Sequence, residues 1–234
     1  MSRTSAIIVP TCDRDKWFSE IAIRGIRKHI PSALIVEFKD TDTKTERKVP
    51  GDIRELCRKI PYLRKQVDAP FVIDVDDIII LDADAFVCRR PDELLSGYGY
   101  QGHTLYGTPD YPWGLQVWAE LGFKFPVVRP LFCAGVFSAP RSMWTLNETM
   151  IFEYLRQCVK HGFHDPNWKY SNVTLDQNLA AGLWRKTCKD NPLSALEYPL
   201  GIPTVDQKVF HACYYKKRRE FMQFLAEYAR ELES

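Results

Sequence analysis

The hydrophobic pattern of the first 40 residues is typical of a parallel α/β unit: two apolar runs flank a segment with helical spacing. Residues 6–9 form a short apolar run that Pro10 ends, which predicts a buried strand opening into a loop. Between residues 16 and 29, apolar side chains recur at helical spacing among basic ones, and Pro31 ends this predicted helix. Residues 33–38 are a second strand candidate. A strand, a helix and a strand in this order predict two parallel strands joined by a crossover.

The pattern of the remaining sequence predicts mostly helices, one further strand and one long loop-rich segment. Asp52 is expected to cap a helix that Pro61 interrupts, with a restart at Pro61. Residues 98–130 are rich in Gly, Pro and aromatics, which predicts a loop-dominated binding face. A strand is predicted over 131–138, and helices over 92–95, 115–121, 141–161, 174–183 and 221–232.

Composition excludes several classes of protein. Hydrophobic residues make up 45% and charged residues 26%, which rules out wholesale disorder, a coiled coil and a membrane bundle. The formal charge of +2 gives no bias toward nucleic acid. We find neither a signal peptide nor an apolar run of the roughly 18 residues that span a bilayer. The seven cysteines are scattered without a Cys-x-x-Cys pair, which is typical of reduced thiols and predicts a cytoplasmic protein.

The most informative segment is Ile78-Ile79-Ile80-Leu81-Asp82-Ala83-Asp84. Four large apolar residues predict a strand buried on both faces, and two carboxylates follow at its carboxyl end, where open α/β sheets bind ligands. Two like charges there repel each other, and a divalent cation bound by their oxygens would cancel that repulsion. The alternative interpretation is a solvated turn with two exposed acids.

A second acidic pair competes with the first. The run Phe71-Val72-Ile73 leads into Asp74-Val75-Asp76, a pattern that suits haloacid-dehalogenase-like phosphatases, in which the first Asp is a phosphoryl nucleophile. In those proteins the motif is usually on the first strand and is followed by Thr or Val. Here it comes late in the α/β pattern and is followed by Asp77. A metal-dependent phosphatase is therefore the second hypothesis, and a non-catalytic nucleotide-sugar-binding module is the third.

Four motifs in order resemble the GT-A nucleotide-sugar glycosyltransferases, most closely the glycogenin-like and galactosyltransferase-like retaining family. They are Asp82-Ala83-Asp84, Cys133-Ala134-Gly135-Val136, Asp176-Gln177, and His211 with Lys217 six residues later. The family's own series is Leu-Asp-Ala-Asp, Asn-Ala/Ser-Gly-Val, Asp-Gln and His-x-x-Gly-x-x-Lys. The resemblance implies a single α/β domain over 1–234 with a mainly parallel central sheet flanked by helices. Residues 1–90 would be the nucleotide-binding half, and 91–234 the donor-sugar and acceptor half with the C-terminal helix.

The resemblance also implies a metal site and a donor-sugar site. Asp84 and His211 would ligate Mn2+, or Mg2+, and Asp82 would touch the metal or the donor ribose. An imidazole beside two carboxylates suits Mn2+ better than Mg2+. Asp176 would accept hydrogen bonds from sugar hydroxyls and Gln177 would face the reacting carbon. The alternative for these two residues is a helix N-cap and first turn.

The remaining donor contacts are implied in the same way. The backbone of the motif around Gly135 would lie against the donor sugar. The residues expected to contact nucleotide or donor are Thr11, Asp13, Arg58, Lys65, Asp82, Ala83, Ala134, Gly135, Val136 and Lys217. Five basic residues precede the acidic strand, and we expect a solvated helix face for at least three of them: Arg54, Arg58, Lys59, Arg64 and Lys65.

Two departures from the family pattern change the expected contacts. Cys133 stands where the family usually has Asn, and Tyr214 stands where it has the Gly after the His. The expected reaction is transfer of a sugar from a nucleoside-diphosphate donor, UDP-linked, to a hydroxyl acceptor on a glycan, protein, lipid or modified nucleic acid. The cationic run Lys216-Lys217-Arg218-Arg219 would suit nucleic acid or a membrane surface, but a solvated turn is the favoured interpretation.

Overall fold

The computed structural model describes residues 3–13, 16–103, 112–125, 131–165, 171–212 and 219–233. Within these ranges the strands are β1 Ser5–Thr11, β2 Leu34–Lys39, β3 Asp77–Leu81, β4 Ala85–Val87, β5 Tyr100–His103, β6 Leu131–Pro140, β7 Pro192–Leu193 and β8 Val209–His211. The helices are α1 Lys16–His29, α2 Gly51–Lys59, α3 Arg64–Val67, α4 Asp92–Ser96, α5 Pro112–Glu120, α6 Ser142–Thr145, α7 Glu148–Lys160, α8 Ser171–Thr187 and α9 Arg219–Glu233.

In the described part of the chain, six strands form one sheet in the order β2-β1-β3-β6-β5-β7. Strand β1 pairs in parallel with both β2 and β3, and β5 pairs in parallel with β7. Strand β6 runs antiparallel to β3 and to β5, so it alone opposes the other five. This arrangement confirms the predicted α/β fold with a mainly parallel central sheet flanked by helices.

The sheet separates two apolar layers because its central strands bury both faces. On one face, Ile8 and Ile80 pack with apolar side chains of α2, α7 and α8. On the other face, Ile7 and Ile79 pack with α1 and α4. The continuous apolar runs of β1 and β3 in the sequence reflect this double burial.

A second, two-stranded sheet lies beside the first. Strand β4 pairs antiparallel with β8, with Ala85 opposite His211. Phe86 and Phe210 of these strands pack with Phe221 and Tyr228 of the C-terminal helix α9. The Tyr228 hydroxyl donates to the carbonyl oxygen of Val87. Helix α9 thus presses β8 against β4 and positions His211.

Most predicted elements are present, with shifted boundaries. Helix α1 has the predicted bounds, and the helix expected over 141–161 is divided into α6 and α7. Asn147 causes the division, because its side chain donates to the carbonyl oxygen of Met143 and competes with the helical hydrogen bonds. The prediction that Asp52 caps α2 is wrong, since Pro50 is at the cap position and Asp52 is in the first turn.

The segment 98–130 contains a strand that the sequence did not predict. Strand β5 joins the central sheet through β6 and β7, and its four residues carry too little alternation to be recognised. No described helix has the length and apolar character that crossing a membrane requires. The cysteines that the structure describes are thiols rather than disulfides.

Candidate active site

The two acids of the central motif lie in a tight turn between β3 and β4. The Asp82 backbone N–H donates to the carbonyl oxygen of Gly135 at 2.8 Å, which holds the turn against β6. The Ala85 N–H donates to the carbonyl oxygen of Asp82 at 2.8 Å and closes the turn. Asp84 is buried, whereas 27% of the Asp82 side chain is exposed. The alternative interpretation of two exposed acids is therefore wrong.

His211 completes a three-residue cluster with these acids. Its Nε2 is 3.3 Å from Asp84 Oδ1, and the pairing of β4 with β8 sets this proximity. One ligand atom from each of Asp82, Asp84 and His211 lies within 4.8 Å of the other two. Two carboxylate oxygens and one imidazole nitrogen are a donor set that suits a divalent cation such as Mn2+. The structure thus brings together the three residues expected to hold a metal.

Gly135 leaves the space that the cluster needs. A Cβ at this position would lie 2.3 Å from His211 Cε1 and 2.7 Å from Asp82 Oδ2. Five steps along β6 from Phe132 to Phe137 correspond to two steps along β5, so β6 bulges here. Glycine therefore serves both the bulge and the close approach of backbone to the cluster. The neighbouring Ala134 and Val136 bury their side chains in the two opposite apolar layers.

The charge of His211 depends on its neighbours. Burial alone would lower the pKa of His211, but the adjacent Cys133 and Asp84 raise that pKa well above its usual value. Asp84, whose Oδ1 is 3.3 Å from Nε2, therefore favours a proton on this nitrogen. A metal ligand must be deprotonated, so a bound cation would replace the proton on Nε2.

Lys65 links the acidic turn to helix α8. Its Nζ is 3.0 Å from Asp82 Oδ1 and 2.9 Å from Asp176 Oδ2. Burial would lower the pKa of Lys65, but Asp176 and Asp82 raise it, so the ammonium group stays charged. Burial also raises the pKa of Asp176, and Lys65 opposes that shift. The structure places Lys65 and Asp176 directly beside the cluster.

The interpretation of Asp176 and Gln177 as helix cap and first turn is wrong. Helix α8 begins at Ser171, so both residues lie beyond the first turn and neither is at the positive end of the helix. Asp176 is buried and Gln177 is half-buried. Tertiary contact with Lys65 therefore orients Asp176 rather than a capping hydrogen bond.

The five basic residues before β3 divide differently from the expectation. Arg54, Arg64 and Lys65 are buried, so a solvated helix face is wrong for three of the five. Arg58 and Lys59 are exposed, and Arg58 is 3.5 Å from Glu46 in an ion pair on the surface of α2. The two arginines are buried because they bind the buried carboxylate of Asp68.

Other predicted donor contacts lie around the carboxyl end of β1. Thr11 is buried at the end of this strand, and its carbonyl oxygen accepts from the Asp40 N–H at 3.1 Å. Asp13 is exposed and its Oδ1 is 2.7 Å from the Nζ of Lys39. Ala83 is buried in the acidic turn. Lys217 lies outside the described residues, as do Lys216 and Arg218, whereas Arg219 begins α9.

The competing acidic pair lies elsewhere. Asp74 and Asp76 precede β3 at its amino end, and residues 71–75 form no strand because a short helical turn at Ala69–Phe71 and a bend occupy this segment. The Asp74 side chain is 97% exposed and pairs with Arg141. Asp76 accepts from the N–H and hydroxyl of Thr4. The pattern of a strand ending in two acids is therefore not realised at this pair.

Sequence reasoning missed Gln101, which is fully buried on β5. Its Oε1 is 3.0 Å from Nδ1 of His211. Cys133, named above only as a departure from the family pattern, has its Sγ 3.4 Å from the same nitrogen. Gln101 lies in a segment that the sequence predicts to be a loop, and a single polar residue in a loop carries no pattern that would mark it as functional.

Comparison with known proteins supports the fold. The sequence matches no protein-family model, and no curated protein is significantly similar to it. The fold is similar to the crystal structure of galactosyltransferase LgtC in complex with donor and acceptor sugar analogs, with a TM-score of 0.56 and 14% identity over 99% of this chain and 97% of that chain. It is also similar to an active-site mutant of LgtC, with a TM-score of 0.59 and 13% identity over 98% of this chain and 95% of that chain. The chain has the GT-A fold.

Proposed function

We propose that this chain is a metal-dependent glycosyltransferase that transfers a sugar from a nucleoside-diphosphate donor, UDP-linked, to a hydroxyl acceptor. The observation that carries the proposal is the cluster of Asp82, Asp84 and His211 at the carboxyl end of β3 in a GT-A fold. Ligands of open α/β sheets bind at this end. The donor and acceptor sugar analogs bound to the neighbouring galactosyltransferase support the same class of substrates.

Asp84 and His211 would hold the metal, and Asp82 would contact the metal or the donor ribose. We favour Mn2+ over Mg2+ because the donor set includes an imidazole. When bound, such a cation neutralises the negative charge that grows on a diphosphate leaving group. Lys217, six residues beyond His211, would share in binding the diphosphate.

The sugar would bind against the bulge of β6 and the second turn of α8. Because Lys65 pairs with both Asp82 and Asp176, it keeps these carboxylates in place at one edge of the site. Asp176 would accept hydrogen bonds from sugar hydroxyls, and the backbone of residues 134–136 would approach the ring. The side-chain carbonyl oxygen of Gln177 would stabilise the oxocarbenium-like charge at the anomeric carbon. We propose that the transfer retains the anomeric configuration.

We further propose that residues 1–90 bind the nucleotide and that residues 91–234 bind the donor sugar and the acceptor. Thr11 and Asp13, at the carboxyl end of β1, would contact the nucleoside. Ala83, in the acidic turn, would border it through its backbone. Arg58 would reach a phosphate only by leaving its ion pair with Glu46.

The direct test is release of UDP from a panel of UDP-sugars in Mn2+, with EDTA as the metal-free control. We expect Mn2+-dependent release by the wild type and none by Asp84→Asn. Asp74→Asn is the matched control, since it removes an acid of the same motif type at the opposite end of β3. Phosphatase activity that persists in Asp84→Asn and is lost in Asp74→Asn would contradict the proposal, and so would a wild type that releases no UDP from any donor.

A further inference from the structure

Gln101 has a fixed amide orientation, which the hydrogen bonds of its nitrogen determine. Its Nε2 donates to the carbonyl oxygens of Tyr198 at 3.0 Å and of Pro199 at 2.8 Å. A carbonyl oxygen only accepts, so the atom facing both carbonyls is the NH2 group. The amide oxygen Oε1 is therefore the atom that faces His211.

This orientation also determines the state of the His211 ring. Oε1 of Gln101 is 3.0 Å from His211 Nδ1, and an amide oxygen cannot donate. Nδ1 must therefore carry the proton in this hydrogen bond. In a neutral imidazole the other nitrogen, Nε2, then carries the lone pair, and Nε2 is the atom that faces Asp84 at 3.3 Å.

Cys133 is the competing partner for the same nitrogen. Its Sγ is 3.4 Å from Nδ1, and sulfur is a weak acceptor. The amide oxygen is closer and is the stronger acceptor. Gln101 rather than Cys133 therefore decides which ring nitrogen is protonated.

The segment that binds the Gln101 side chain also binds the backbone of His211. The His211 N–H donates to the carbonyl oxygen of Pro199 at 3.1 Å, and the Gly201 N–H donates to the His211 carbonyl oxygen at 2.8 Å. Gln101 thus binds the same short segment, 198–201, that holds the His211 backbone. Ring and backbone of His211 are held by one connected network.

We propose that Gln101 is a positioning residue for the metal site: it sets the His211 tautomer that presents Nε2 to the cation. The inference rests on the proposed metal site and adds to it a residue outside the ligand set. Partners of metal-bound histidines orient the ring, and their loss typically lowers metal affinity about 10–100-fold. We expect a loss of this size when the Gln101 amide is removed.

The test measures binding of Mn2+ alone by electron paramagnetic resonance, in the absence of nucleotide. Gln101→Met keeps the length of the side chain and removes both hydrogen-bonding functions, and we expect it to weaken Mn2+ binding about 10–100-fold. Gln207→Met is the matched control, because Gln207 is a buried amide that bonds Thr204 and Cys88 and does not contact the cluster. Cys133→Ala should change Mn2+ affinity by less than about threefold, as expected for a weak acceptor.

A second measurement needs no variant. In the wild type labelled with 15N-histidine and loaded with diamagnetic Zn2+, we expect the His211 resonances to show a protonated Nδ1 and a metal-bound Nε2. A protonated Nε2, or Gln101→Met binding Mn2+ as tightly as a wild type that does bind it, would overturn the positioning role and leave the proposed function standing. Failure of the wild type to bind Mn2+ would overturn both.

Discussion

At Gly135 the backbone passes so close to His211 and Asp82 that a side chain would overlap both. His211 cannot move aside easily, because hydrogen bonds hold its ring at Nδ1 and its backbone at the 198–201 segment. Asp82 is also restrained, by Lys65. Glycine is thus required at this position mainly because the cluster leaves no space for a side chain.

Gly135→Ala tests this relation. We expect UDP-sugar turnover to fall about 100-fold, since a displacement of about 1 Å at a reacting centre can cost that much. Overpacking should also cost about 1–3 kcal/mol of unfolding free energy, measured by urea denaturation. Gly51→Ala is the control, because its added Cβ would meet no atom within 4 Å apart from the adjacent residues and backbone of its own helix. Equal turnover in the two variants would contradict a role of Gly135 in the active site.

Gln177 and Asp176 are neighbours with different structural roles. Asp176 forms a buried ion pair with Lys65, so its replacement disturbs stability as well as chemistry. Gln177 is half-buried and next to it. Gln177 is therefore the better probe of the reaction itself.

We expect Gln177→Ala to lower turnover about 100–1,000-fold, equivalent to about 2.7–4 kcal/mol, because it removes support of transition-state charge. UDP affinity and melting temperature should stay close to those of the wild type. Asp176→Asn should lower both turnover and melting temperature. Steady-state kinetics and calorimetry measure these quantities, and near-normal turnover of Gln177→Ala would exclude it from the reaction.

At the scale of elements, the short helix α3 is held by arginines from two helices. Arg54 of α2 makes a bidentate pair with Asp68 at 2.7 and 2.8 Å, and Arg64 of α3 donates to the same carboxylate at 2.6 Å. Arg64 also donates to the carbonyl oxygen of Asp42. This network fixes α3, and Lys65 on α3 is thereby directed toward Asp82.

The network predicts a pH dependence of stability. Burial opposes ionisation of Asp68, but hydrogen bonds from Arg54 and Arg64 hold the pKa of Asp68 below its usual value. A depressed folded-state pKa contributes stability above the unfolded pKa of about 3.9, and this contribution is lost as the pH falls through the folded pKa. Asp68→Asn should therefore lower the free energy of unfolding by about 3–5 kcal/mol at pH 7. On acidification the variant should lose less stability than the wild type.

Urea denaturation between pH 7 and pH 3 measures both effects. Asp52→Asn is the control, since Asp52 pairs with Arg156 on the surface at 2.7 Å. An exposed pair contributes about 0–1 kcal/mol. A loss at Asp68 no larger than the loss at Asp52 would contradict the role of the network.

At the scale of the molecule, the site joins two sheets. Asp82 follows the central sheet, Asp84 precedes β4, and His211 ends β8. Helix α9 packs on the two-stranded sheet and on α1. A ligand that bridges these residues therefore ties the small sheet to the large one and should stabilise the whole fold.

We expect Mn2+ and UDP together, at about 100 times their dissociation constant, to stabilise the protein by about 2.7 kcal/mol. For a chain of this size, that corresponds to a rise in melting temperature of about 5–11 °C. Differential scanning fluorimetry measures the shift. UDP with EDTA should give a much smaller shift, and Asp84→Asn should show none from Mn2+. An equal shift for wild type and Asp84→Asn would place the metal elsewhere.

The sequence by itself determined the elements that depend on local periodicity and on continuous burial. Strand β1, helix α1 and the buried strand β3 follow from apolar spacing, and the two acids at the end of β3 follow from their position after it. The order of the four motifs indicated the GT-A fold. Each strand, helix and motif is encoded within a few neighbouring residues, whereas the order of the motifs is a property of the whole sequence.

Only the tertiary structure decided how distant residues are brought together and which further side chains contact them. The pairing of β4 with β8 is what brings His211 to Asp84, as the resemblance implied. Lys65 is buried between Asp82 and Asp176, two contacts that no motif predicted. Gln101 reaches His211 only because β5 joins the sheet beside β6. Side-chain contacts between separate elements depend on packing and on hydrogen-bond satisfaction across the core, and no local pattern of residues contains that information.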